Sequence, residues 1–138
     1  MKKFLTALML IMTLSVIIPQ EIKAQVYTYR TTAYAYKKVN SYGNWTNWSD
    51  WQDSDMRMVI NFNTDVITIY SPTTQIYKVT KYIRNFTDSS GGKQVEFAAV
   101  DEEGKNCHIR LRIEANGNSQ TYIEWSDLIL CYNVRRTN

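Results

Sequence analysis

The stretch Tyr42-Gly43-Asn44-Trp45-Thr46-Asn47-Trp48-Ser49-Asp50-Trp51 sets three tryptophans three residues apart in otherwise polar surroundings. A repeat of three puts all the rings on one side of a polyproline-like or 3₁₀ segment. In a flat strand, Trp48 would instead point away from Trp45 and Trp51. Aligned rings on an exposed loop could bind the face of a sugar, a peptide or a partner protein, because each indole offers a broad apolar surface with one polar N–H. Trp45, Trp48, Trp51 and the neighbouring Tyr42 are therefore the candidate ligand-binding residues. The competing expectation is that the tryptophans plug the open end of a β domain, since large aromatics are more often core or cap residues than ligand contacts.

The spacing resembles the tryptophan motif of thrombospondin type 1 repeats, where such rings interleave with arginines. The resemblance covers seven residues. This chain has no Arg between Trp45 and Trp51 and lacks the cysteine framework of that family, so no fold and no residue role is carried over.

Other chemistry is sparse. Asp50, Asp53 and Asp55, and then Asn61, Asn63 and Asp65 at alternate positions, have the oxygen ligands that calcium takes. Neither set has the glycine or the distal glutamate of a calcium loop, and turns are rich in Asp and Asn anyway. No metal and no cofactor is expected. His108, the single histidine, adjoins Cys107, but neighbours in a strand face opposite ways and cannot form a nucleophile–base pair. His108 is expected as an exposed residue of a polar face. The acids fall mostly in turns or on solvent faces, where nothing raises a pKa, so no catalytic residue is assigned. Asn44, Asn47 and Asn85 each begin an Asn-x-Ser/Thr triplet, which matters if the host glycosylates.

The elements that must hold these residues are strands. After residue 24 no helical periodicity occurs; short runs alternate apolar and polar residues between turn signals. Cys107, Ile109, Leu111 and Ile113 alternate with His108, Arg110, Arg112 and Glu114, the pattern of a sheet with one face in the core and one in water. Similar runs cover 56–62, 66–70, 75–86, 95–99, 119–125 and 128–135, with Tyr77, Val79 and Ile83 in phase on the longest. Asp88-Ser89-Ser90-Gly91-Gly92 is the strongest turn signal, because adjacent glycines permit positive φ. Along 25–39, Tyr27 and Tyr29 occupy odd positions and Tyr34 and Tyr36 even ones, which predicts a β-bulge near Thr31–Ala33. The expected fold is all-β: an antiparallel meander of about eight strands closed into a small barrel or packed as a two-sheet sandwich. Strand count and size are similar to small exported ligand-binding barrels of the lipocalin and streptavidin type, in architecture alone.

Ahead of this domain, Met1-Lys2-Lys3, the apolar run Phe4–Ile18, Pro19 and a polar segment ending in Ala24 have the layout of a secretory signal. The fifteen-residue run is shorter than the ~20 residues a spanning helix needs. The expectation is a signal peptide over 1–24, cleaved after Ala24, and a single β domain over 25–138 that is secreted, periplasmic or at the cell surface. No cysteine precedes Cys107, so no lipid-bearing cysteine and no stable membrane anchor are expected. Removing 1–24 leaves thirteen basic against twelve acidic residues, with no basic stripe of the kind nucleic acid demands. Cys107 and Cys131 lie two strands apart, ~9.5 Å across a meander, beyond the ~7 Å reach of a disulfide, so two unpaired thiols are expected. The leading functional reading is a binding or interaction module using aromatic side chains. A secreted hydrolase with an acidic pair, or an assembly subunit pairing through β-edges, are the alternatives.

Overall fold

The alternating runs fold as nine antiparallel strands in a computed structural model, which describes residues 26–114, 116 and 118–137. The expected signal segment and its cleavage point lie outside the described residues. The strands are β1 (Val26–Lys38), β2 (Gln52–Asp53), β3 (Arg57–Asn61), β4 (Val66–Ile69), β5 (Gln75–Thr87), β6 (Lys93–Val100), β7 (Asn106–Ile113), β8 (Ser119–Glu124) and β9 (Leu128–Arg136). From β3 to β9 each strand pairs with the next in sequence. β1 pairs with β3 on one side and β9 on the other, so the sheet closes as an eight-stranded barrel. β2 is an addition that pairs with Ala33 and Tyr34 of β1.

Closure sorts side chains by alternation. Tyr27, Tyr29, Met58, Ile60, Ile67, Ile69, Val95, Phe97, Ile109, Ile123, Tyr132 and Val134 point inward and form one cluster with Phe62 from the β3–β4 turn. Phe62 and Phe97 lie 5.7 Å apart, and Tyr82 meets Phe97 at 6.3 Å, so the interior is occupied by the barrel's own rings. Burying one such ring contributes ~2–3 kcal/mol.

The expected bulge is present: the β1–β9 register shifts between Thr31 and Ala33. Thr31 is buried, Thr32 is the extra residue, and Tyr27 and Tyr29 on one side of the shift and Tyr34 on the other pack in or against the same core. Strand β5 departs from the expected phase. Two register shifts, between Val79 and Lys81 and between Tyr82 and Arg84, turn Tyr82 toward the core and leave Ile83 42% exposed. Turns follow their chemistry. In the β5–β6 hairpin Gly91 has φ +84°, and Asp88 Oδ1 accepts bonds from the Ser90 and Gly92 amides at 3.1 and 2.9 Å. Asp65 takes φ +57° in the β3–β4 turn.

Candidate functional site

The tryptophans sit on a strap that runs back along the outside of β1. After β1, Asn40 Oδ1 accepts from the Tyr42 and Asn44 amides and reverses the chain. Residues 45–51 then follow β1 through a Val39↔Trp45 bridge and bonds from Thr46 N to Lys38 O and Ser49 N to Tyr36 O. Ser49 Oγ accepts the Tyr36 amide, a role a backbone carbonyl would fill in a regular strand. The strap is therefore not pleated, and the rings keep to one side. The Lys37 ammonium lies 5.9 Å from the Trp45 ring and 5.3 Å from the Trp48 ring. Trp48 meets Tyr122 of β8 edge-on at 6.4 Å.

The strap takes the edge of β1 that β3 leaves beyond Arg30, and its indoles reach across the wall beside it. Ala35 of β1 pairs directly with Cys131 of β9, and Cys131 with Tyr122 of β8. Two small side chains side by side leave a depression. Trp48, Trp51 and Tyr122 rim a groove of about 220 Å³ floored by Ala35 and Cys131. The floor is covered, with Ala35 1% and Cys131 2% exposed, while Trp48 and Trp51 keep 43% and 50% of their surface open. Burial pushes the Cys131 thiol up to about 11, with hydrogen bonding to Tyr122 acting in the opposite direction. The Tyr122 hydroxyl is likewise pushed up to about 12 by burial.

A charged network borders the groove. The Arg110 guanidinium stacks on the Tyr122 ring at 4.0 Å and donates to Glu124 at 3.2 Å. His108 Nδ1 lies 3.0 Å from Glu124, and its Nε2 lies 3.5 Å from Glu96. Glu96 is buried on the outer face and held below the ordinary carboxylate range, chiefly by the hydrogen bond from Arg84. His108 is thus not the simple exposed residue expected from alternation. It does lie on the outer face, but carboxylates from β6 and β8 bracket it.

Of the four candidate residues, Trp48 and Trp51 come together in the groove and Trp45 shares Lys37 with Trp48. Tyr42 stands apart at the hairpin tip, 87% exposed. Trp48 and Trp51 do not plug the barrel end, because the strap continues the wall beside β1 and these two rings lie on its outer face. Trp125, beyond β8, packs against the core instead, meeting Tyr77 at 6.0 Å and donating to Asp101 at 3.1 Å. Two of the suspected calcium ligands have other partners: Asp55 pairs with Arg30 at 2.6 Å, and Asn61 Oδ1 accepts the Asn63 and Thr64 amides within the β3–β4 turn. Asp65 is buried with both carboxylate oxygens unpartnered among the described residues. Asn44 and Asn47 are exposed, whereas Asn85 is half-buried against Tyr82. Both cysteines are free, Cys107 facing the core and Cys131 the outer wall. Ala35, Cys131, Tyr122 and Lys37 carried no signal of their own in the sequence; only strand register brings them under the tryptophans. Comparison with protein-family models, curated proteins and solved structures finds no match to this chain.

Proposed function

We propose that the chain is an exported binding module that engages its ligand on the outer wall, through the groove under the 45–51 strap. One observation carries this reading: Trp48 and Trp51 are half open over a floor of Ala35 and Cys131, where full packing would have covered them. A soluble protein gains nothing in stability from leaving two indoles open, and rimmed apolar depressions are the common form of recognition sites. The filled interior, with Phe97 and Ile109 wholly buried, argues for recognition at the surface over carriage of a ligand inside the barrel.

The assembly reading is disfavoured by strand chemistry. The half of β5 from Thr80 to Thr87 pairs only with β6 among the described residues, yet it carries two bulges together with Lys81 and Arg84, devices that discourage pairing with another chain. The hydrolase reading is disfavoured by Glu96, which Arg84 holds as the charged partner of an ion pair. The test is ligand screening of the wild type against Trp48→Ala and Trp51→Ala, with thermal melts run in parallel. Binding should fall at least tenfold in both variants, ~1.4 kcal/mol or more, while each remains folded. A bound ligand whose affinity ignores both substitutions would refute the reading.

A further inference from the structure

The aromatic groove continues along the wall. Residues two apart on a strand face the same side at ~7 Å spacing, so the register across β8, β9 and β1 produces adjacent rows. One row is Tyr122, Cys131 and Ala35, and the next is Gln120, Asn133 and Ala33. The second row opens on a groove of about 360 Å³, lined by Thr32, Asn118, Gln120 and Asn133 together with Ser119, Val134 and the charged Glu114 and Arg135. Hydrogen bonds tie the rows together. Tyr122 donates to Gln120 Oε1 at 3.0 Å, and Gln120 Nε2 donates to Asn133 Oδ1 at 2.9 Å. Among the described residues nothing takes up the amide protons of Asn133.

The floor also limits what can bind. β8 and β9 are each paired on both sides, and β1 is paired with β9 along this stretch, so their backbone groups are committed. A peptide adding itself as a strand would find no edge here. Recognition must come from side chains, and those present are open ring faces followed by amides and a hydroxyl. That combination matches a sugar, whose C–H faces lie on aromatic rings and whose hydroxyls both donate and accept.

Resting on the binding reading above, we infer that the two rows form a cleft with two subsites for an extended glycan. One sugar stacks on Trp48 and Trp51, and the hydroxyls of the adjoining sugar are held by Gln120, Asn133 and Thr32. The ligand is a chain of at least two sugars lying along the strands.

The experiment is calorimetric titration of the full domain with β-1,4-linked glucose and N-acetylglucosamine oligomers, from the single sugar to the tetrasaccharide. Affinity should rise about tenfold or more from monosaccharide to tetrasaccharide, the gain expected from one or two added hydrogen bonds. Gln120→Ala should erase that gain. Thr32→Val, at an exposed position, is the milder second variant should Gln120→Ala fail to fold, and Ile83→Ser on the far wall should bind like the wild type. A length gain that survives both Gln120→Ala and Thr32→Val overturns the second subsite and leaves the aromatic groove standing. No binding of any sugar in the series overturns the glycan, and Trp51-dependent binding of a peptide would show that the groove serves another ligand. Sugar binding that ignores Trp48→Ala and Trp51→Ala overturns the cleft and the groove together.

Discussion

Inside the barrel, Phe62, Phe97 and Tyr82 meet ring to ring at 5.7 and 6.3 Å; outside it, Trp48 and Tyr122 meet at 6.4 Å. The spacings are nearly alike, but the surroundings are not. Phe62 and Phe97 are sealed within a core to which all eight barrel strands contribute, and Tyr82 packs against it half-buried. Outside, Arg110 covers one face of Tyr122, while Trp48 and Trp51 rest over two small residues with about half of each indole open. The same residue types therefore do two jobs, and the neighbours decide which: enclosure turns a ring into core, and a shallow floor leaves it available.

The largest effect that can test this contrast is a pair of truncations. Phe97→Ala should cost ~3–5 kcal/mol, the loss typical of a ring removed from a sealed core. Trp48→Ala should cost only ~1 kcal/mol, as expected for a half-open side chain held by contacts on one side. Urea unfolding with unchanged m-values gives both numbers. Equal losses would make the strap part of the core and erase the distinction.

Acid provides the next separation, since the outer wall titrates through its ion pairs. Hydrogen bonds from Gln94, Ser90 and Arg112 hold Asp88 far below the ordinary carboxylate range, and the Gly92 amide adds to them. A folded-state pKa below the unfolded value of ~3.9 means stability that is present above about pH 4 and is lost as pH falls further. Glu96 contributes in the same direction through Arg84. Asp88→Asn should therefore lower stability at neutral pH and flatten the acid limb of the stability profile, as read by melts between about pH 2 and 7. A mutant whose loss is the same at every pH would assign that limb to other groups.

The smallest effect sharpens the picture at single-residue scale. Burial pushes both thiols to about 11, so both should react slowly with alkylating reagents at neutral pH. In Trp48→Ala, Cys131 should become faster to label while Cys107 stays slow, with the sites assigned by peptide mass mapping. Parallel acceleration of both would point to general loosening of the barrel and not to a lifted strap.

Much of the frame was legible from local pattern. The β7 alternation from Cys107 to Ile113 predicts its two faces, and the change of phase between Tyr29 and Tyr34 locates the bulge to the residue range where it occurs. Ile83 was misplaced because two bulges in β5 reset the alternation, and neither carries a glycine that would mark it. Alternation alone makes His108 merely exposed, because its partners Glu96 and Glu124 lie on neighbouring strands, where only register brings them within reach. The spacing of three correctly implied that the tryptophans share a side, but not which surface they would lie on. That depends on Ala35 and Cys131 being paired across β1 and β9, a property of two segments nearly a hundred residues apart.

Thr32, the extra residue of the bulge, marks a change of partners on β1. On one side of it, Val26–Arg30 pair with β3 and the wall is shut. On the other, Ala33 and Tyr34 meet β2 and the strap begins, with Ser54 N bonded to Thr32 O at the junction. Deleting Thr32 would leave Thr31 facing in and Ala33 facing out, so no side chain need change sides. What would change is the fork itself, straightening β1 and moving the strap's point of departure. The groove is thus more sensitive to chain length at this position than to side-chain identity, and a one-residue insertion or deletion here would remodel the site without altering any residue that lines its aromatic half.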